Sequence, residues 1–306
     1  MKSQDICQQI TSTIITELEK GVLPWSKPWA GGIGGPVMPR RHGGARYRGI
    51  NVLILWDRAE KAGFRSPYWM TFKQALEYGG NIRKGEKGTQ IVYTNQITKL
   101  ETNDAGEDVA RRFGFLKSYT VFNAGQIENL PEKFDLPALK PEVVLDAKNW
   151  ADYADGLAWF AAIPALVIHG GKKAFFSPGP DQIILPERDS FRSEQAYLSV
   201  RAHETAHWSG DNRRLNRDLS GRFGDAAYAM EEMIAEISAA FCMAELGLIP
   251  QIREDHAPYI ASWLAVLKGD SKAILTAAAK ASDALEYMSY FQLLPKDEAE
   301  NLAEVA

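Results

Sequence analysis

Residues 201–210 read RAHETAHWSG, and within them His203, Glu204 and His207 constrain the chain more than any other feature. On an α-helix, side chains four apart stand one above the other on a single face. Imidazoles 203 and 207 can therefore grip one ion, while the glutamate beside the first reaches an open position next to it. The spacing works only on a helix. That helix must also sit in a fold that brings a further ligand from elsewhere, because a catalytic zinc takes three protein ligands and a water.

The third ligand is sought downstream, where YAMEEMIAEISAAFCMAELG contains Glu231, Glu232 and Glu236. Carboxylates set among Met233, Ile237, Ala240 and Phe241 are costly to bury unless they are paired or bound to metal. Glu232 and Glu236 are four apart and share a helix face, as a ligand and the acid behind a ligand would. Glu231 and Glu236 remain alternatives for the ligand role, and so does a reading in which all three are solvated helix charges. The expected cofactor is zinc, one ion per chain, with Mn2+ or another divalent ion as alternatives. Zinc lowers the pKa of its water to about 7, so Glu204 as general base would take the proton and return it to a leaving amine, which is peptide-bond hydrolysis. Tyr228, Arg214 and His169 are candidate donors to the oxyanion. DQIILP, residues 181–186, is a candidate edge strand for aligning an extended substrate.

Charge divides the chain. Counting Lys and Arg against Asp and Glu, residues 1–125 hold 18 against 11 (+7) and residues 126–306 hold 17 against 28 (−11), which together make the −4 of all 306 residues. A basic module joined to an acidic one points to two partners, the basic part being the candidate for a polyanion. A chain of this length accommodates two domains. No run of 18 apolar residues occurs and the start is amphipathic, so neither a membrane span nor a signal peptide is expected and the cytoplasm is the expected location. Cys7 and Cys242, far apart and each in a predicted helix, are read as free thiols.

Periodicity and breakers predict an α+β fold, with a small α+β unit followed by a mainly helical one. Helices are expected at residues 4–20, 51–63 and 71–78, then strands at 89–97 and 113–122 around the polar hairpin tip ETNDAGED. Between the first two helices, residues 25–49 hold seven glycines and three prolines and must be loop. The proline-rich stretch IENLPEKFDLPALKPEVV marks the inter-domain connection. The expected organisation is residues 1–127, a linker 128–143, and residues 144–306. In the second part, helices are expected at 147–162, 193–208, 228–246, 255–267 and 271–291, with short strands at 174–176 and 182–185.

The basic part interleaves cations with aromatics in PWSKPW, RYRGIN, SPYWMTF, IRKGEKG and KSYTVFN. Single-stranded nucleic acid is held by base stacking on aromatic rings beside a positive groove, and this composition offers both. Trp25, Trp29, Tyr47, Trp56, Tyr68 and Trp69 are the stacking candidates. Arg46, Arg48, Arg83, Lys84 and Lys87 are the phosphate candidates. The competing reading is that the tryptophans are core and the charge a solvated face.

Taken together, LEKGVLPWSKPW, YRGIN, WMTFKQALEYGGNIRKGEKG and YTVFNAGQIENLP, followed by HETAHWSG, RLNRDL and YAMEEMIAEISAAF, resemble the ArdC-type antirestriction proteins of conjugative plasmids over about residues 5–250. The N-terminal module also resembles one in TraC-type plasmid primases. The resemblance implies an N-terminal single-stranded-DNA-binding domain, a C-terminal zincin-like metallopeptidase domain, and a role in shielding incoming plasmid DNA from host restriction, with a host restriction component as an expected protein substrate. The order of motifs further resembles the glutamate-zincin peptidases, which implies Glu232 as third ligand and Glu236 as the group that orients a liganding histidine. The segment WSGDNRRLNRDL lacks the extra histidine of some relatives, which leaves the ligand set resting on the downstream glutamates. Two other readings compete: a DNA-binding protein whose metal site is structural or vestigial, without proteolysis, and a metal-dependent nuclease.

Overall fold

The computed structural model describes residues 3–25, 37–102, 108–134, 153–222, 224–248 and 257–294. The mixed helix and sheet expected from the sequence is present, in the order α1 (Ser3–Glu19), β1 (Arg40–Arg41), α2 (Ile50–Ala62), β2 (Tyr68–Met70), α3 (Phe72–Glu77), β3 (Asn81–Ile82), β4 (Thr89–Thr102), β5 (Asp108–Asn123) and β6 (Ile127–Glu128). The second half continues with α4 (Ala154–Ala161), β7 (Leu166–His169), β8 (Phe175–Ser177), β9 (Gln182–Leu185), α5 (Glu194–Gly210), α6 (Ala226–Glu245), α7 (Ala257–Gly269) and α8 (Ala273–Tyr290). Predicted helix ends fall within a few residues of these bounds wherever a breaker marks them. At α2, for example, Gly63 adopts a left-handed φ of 68° and its N–H caps the carbonyl of Glu60. The first residues of the helix predicted from 147, most of the linker, the hairpin tip and Trp29 lie outside the described residues.

The first half forms a four-stranded sheet in the order β1-β2-β5-β4, with β4 and β5 antiparallel from Thr89↔Val121 to Thr102↔Asp108. Strand β4 is an edge, and Asn51 manages it. Its amide donates to the Val92 carbonyl at 2.7 Å and accepts from the Val92 N–H at 2.9 Å, satisfying both exposed backbone groups from α2. The described residues of the two halves share one hydrophobic cluster that runs from Ile14 to Phe291. Trp25 meets Trp263 edge-on at 5.6 Å, and Trp56 meets Phe241 at 5.5 Å.

This packing corrects two expectations. Trp25 and Trp69 are 1% exposed, and Tyr47 and Trp56 are also buried, so no base can stack on these rings. Their large apolar faces contribute more inside, at roughly 25 cal/mol per Å² removed from water, than on a surface. Ion pairs also join the basic and acidic halves, so part of the positive charge faces the second half instead of a separate partner. Arg40 and Arg46 both bind Glu245 at the end of α6, at 3.2 and 2.9 Å, and Arg48 bridges Asp283 and Glu286 on α8, each at 2.7 Å. Arg46 is thus partly buried in the interface, whereas Arg48 is 51% exposed and pairs with carboxylates that are themselves exposed.

In the second half, β7, β9 and β8 form a three-stranded sheet in which β7 runs parallel to β9. The sequence reading lacked β7, and that changes the role of DQIILP. Strand β9 is paired on both sides, so the edges of this sheet are β7 and β8. No helix among the described residues is long and apolar enough to cross a membrane.

Candidate metal centre

Helix α5 starts where Ser193 accepts a hydrogen bond from the Ala196 N–H, and it buries nearly its whole length against α6 and α8. His203 and Glu204 are each 2% exposed. Along α6 the three glutamates face the same histidines, and the resulting contacts form two shells.

In the inner shell, His203 Nε2 and His207 Nε2 stand 3.1 Å apart. Glu232 faces both, with one carboxylate oxygen 3.5 Å from His203 Nε2 and the other 3.6 Å from His207 Nε2. Ligand atoms at the corners of a tetrahedron with bonds of about 2.0–2.1 Å stand about 3.3–3.4 Å apart, close to the 3.1 Å between the two Nε2 atoms and to the distance of each from a different oxygen of Glu232. His203, His207 and Glu232 are a group whose donor atoms lie within 4.8 Å of one another, so a zinc or manganese ion fits this donor set.

In the outer shell, His203 Nδ1 lies 3.2 Å from Glu236, an ion-pair distance without the alignment of a hydrogen bond. His207 Nδ1 donates to Glu231 at 3.1 Å. Glu231 is itself clamped, since Arg217 donates to its two oxygens at 2.9 and 2.8 Å and also donates to Ser209 and to the Ala206 carbonyl. Gly210 makes room for this guanidinium, because a Cβ there would sit 2.5 Å from Arg217 Nη2. Carboxylates behind both imidazoles turn their Nε2 atoms inward and raise their basicity.

The electrostatics favour a cation. Burial works to lower the pKa of His203, but the hydrogen bond to Glu232 and the Glu236 carboxylate outweigh it and hold it raised. Burial works to raise the pKa of Glu232, and His203 outweighs it and holds it down. The pKa of Glu231 is likewise held down against burial, by His207 and Arg217. Positive charge between these carboxylates is what the site stabilises.

A cleft of about 290 Å³ opens over the cluster, far more than an ion needs, lined by His203, Glu204, His207 and Glu232 on one side and by Phe175, Phe176, Tyr228 and Tyr259 on another. Of the three proposed oxyanion donors, only Tyr228 reaches it. His169 instead stacks on Tyr197 and shares a 3.0 Å hydrogen bond with its hydroxyl. Arg214 forms a two-pronged pair with Asp181 and packs over Trp208 at 4.1 Å. Arg217 and Tyr259 were not singled out in the sequence. Arg217 belongs to RLNRDL, which marked the segment without revealing its role, and Tyr259, whose hydroxyl is 3.4 Å from that of Tyr228, carried no signal.

Residues 155–280 match the family model of a zincin-like metallopeptidase, which is the class that this fold and donor set define. Residues 4–122 match the N-terminal domain of anti-restriction factor ArdC. The chain is similar to the crystal structure of the antirestriction ArdC protein from plasmid R388 in its metal-free form, with a TM-score of 0.76 and 38% identity over 97% of this chain and 98% of that one. The Mn(II)-bound form of that protein aligns with a TM-score of 0.73 and 36% identity, covering 94% and 98%. Among sequences, the uncharacterized protein y4eC of Sinorhizobium fredii is 38% identical over 292 residues, 93% of this chain and 91% of its own length. DNA primase TraC of Escherichia coli is 35% identical over 301 residues, 93% of this chain but 27% of the primase. The chain belongs to the ArdC antirestriction family.

Proposed function

We propose that this protein binds single-stranded DNA through its N-terminal part, hydrolyses peptide bonds at a divalent ion held by His203, His207 and Glu232, and protects incoming DNA from restriction. The observation that carries the hydrolytic reading is the inward convergence of both Nε2 atoms on Glu232, with separate carboxylates behind each ring. A divalent ion bound there supplies Lewis-acid polarisation of a carbonyl and acidifies water. Glu204, buried beside His203 and lining the cleft, takes a proton from the attacking water and returns it to the leaving amine. Glu231, which accepts from His207 Nδ1, holds that imidazole in the tautomer that leaves Nε2 free to ligate, and Glu236 places its carboxylate at ion-pair distance behind His203 Nδ1. The Tyr228 hydroxyl, next to that of Tyr259, is the donor for the developing oxyanion. The free edge of β8, whose Phe175 and Phe176 line the cleft, offers backbone groups to an extended peptide.

The test is Glu204→Gln, which keeps shape and removes the base. The variant should bind metal and single-stranded DNA as the parent does, and should lose cleavage of a host restriction component monitored by mass spectrometry. If protection of transferred DNA survives in the variant undiminished, the metal site is structural and the protein acts through DNA binding alone.

A further inference from the structure

We infer that single-stranded nucleic acid stacks on Tyr93 and Tyr119 of the β4–β5 ribbon, with Lys117 beside them for the phosphate backbone. The inference rests on the single-strand-binding reading above and assigns that reading a surface. Most of the aromatics expected to carry it are closed off, since Trp25, Tyr47, Trp56 and Trp69 are core and Tyr68 packs edge-on against Phe134 at 5.3 Å. Tyr93 and Tyr119, by contrast, are 44% and 46% exposed, with ring centroids 6.1 Å apart in an edge-to-face pair. Both residues are therefore open to solvent.

Strand register groups them. Tyr93 lies opposite Lys117 and Ile91 opposite Tyr119, so all four share one side of the ribbon. On that side Ile91 and Val121 are buried under the core, and the exposed tyrosines begin where the ribbon emerges from it. Beyond the tyrosines the ribbon is two-stranded. Two exposed rings with a lysine on the same side are the combination that sequence-tolerant single-strand binding uses.

Charge points to the same surface. Arg40, Arg46 and Arg48 are neutralised by carboxylates of α6 and α8, and Lys20, Lys61, Lys73 and Arg83 by neighbours along their own segments. Lys84 and Lys87 are exposed and form no ion pair with a described residue. They sit at the base of β4, Lys87 four residues from the position opposite Tyr119, or about 13 Å at the rise of a strand. A strand of nucleic acid running along the ribbon meets rings first and these lysines next.

The experiment measures anisotropy of a labelled oligothymidylate with the full chain, for the parent, Y93A/Y119A, Y93F/Y119F, K117A and Y290A. Tyr290 is a 54% exposed ring on α8 and serves as the control. Base stacking on a ring sets the expected loss for Y93A/Y119A at about tenfold or more, with Y93F/Y119F and Y290A within about twofold of the parent. K117A should reduce the dependence of log affinity on log salt by about one phosphate contact. A parent that binds the oligonucleotide while Y93A/Y119A binds equally well overturns the assignment to this ribbon and leaves the single-strand reading standing. A parent that binds no single strand overturns both. Equal losses in Y290A and Y93A/Y119A also overturn the assignment, since the loss is then not local to the ribbon.

Discussion

Arg217→Met is the perturbation that most directly tests how the metal centre is braced. The Arg217 and Glu231 side chains are 3% and 8% exposed, so neither charge has water to fall back on. Methionine fills the space but leaves the Glu231 carboxylate with His207 alone; the Ser209 hydroxyl loses the donor it has in Arg217, and the Ala206 carbonyl keeps the hydrogen bond from Ser209. Removing one member of a buried pair costs about 3–5 kcal/mol. The expected loss in urea denaturation of the metal-free protein is therefore in that range, a large share of the roughly 5–15 kcal/mol that holds a domain folded. Metal affinity should fall as well, since losing the group behind a liganding histidine weakens binding about 10- to 100-fold, which a competing chromophoric chelator reads at fixed pH. The double variant R217M/E231L separates the two effects. With both charges gone, stability should return most of the way, because an apolar pair of similar volume replaces a desolvated ion pair at little cost. Metal affinity should stay low, because His207 Nδ1 still lacks its acceptor. Arg217→Lys should rescue neither fully, since an ammonium cannot bind both oxygens of Glu231 in the same fork. A single variant within about 1 kcal/mol of the parent, or a double variant with parental metal affinity, would refute the bracing role.

Two further outcomes are expected. Asp211, whose hydrogen bond from Arg213 holds its pKa down at about 2 against the raising effect of burial, contributes stability that is fully present above the ordinary carboxylate value near 4 and is lost as pH falls towards 2. Asp211→Asn should therefore lower stability by about 1 kcal/mol from pH 5 to 7, discounted for the 44% exposure of Arg213, and the difference should vanish near pH 2; a gap that widens in acid contradicts it. Burial pushes the Cys242 thiol well above its usual range, so in a Cys7→Ser background a thiol reagent should label the protein only as fast as it unfolds, and labelling under native conditions within seconds would contradict the packing of α6.

The centre was legible in sequence because its information is local. His203, Glu204 and His207 lie within one helical turn or so, Glu232 and Glu236 lie one turn apart, and a helix converts such spacings directly into a shared face. The ends of α2 and α5 were legible for the same reason, as Gly63 and Ser193 act on the turns beside them. The stacking candidates were not. A tryptophan in PWSKPW reads alike whether it is exposed or packed, and only Trp263, more than 200 positions away, decides that Trp25 is core.

What the chain determined by itself is thus the pair of helices that carry two imidazoles and a row of carboxylates, together with the presence of β4 and β5. Tertiary structure alone decided that Glu231 belongs to Arg217 and His207, that β7 turns β9 into a central strand, and that Arg46 and Arg48 pair with Glu245, Asp283 and Glu286. The physical reason is that hydrogen-bond spacing within a helix is set by nearest neighbours. Burial and charge pairing depend instead on which distant surface arrives to exclude the water.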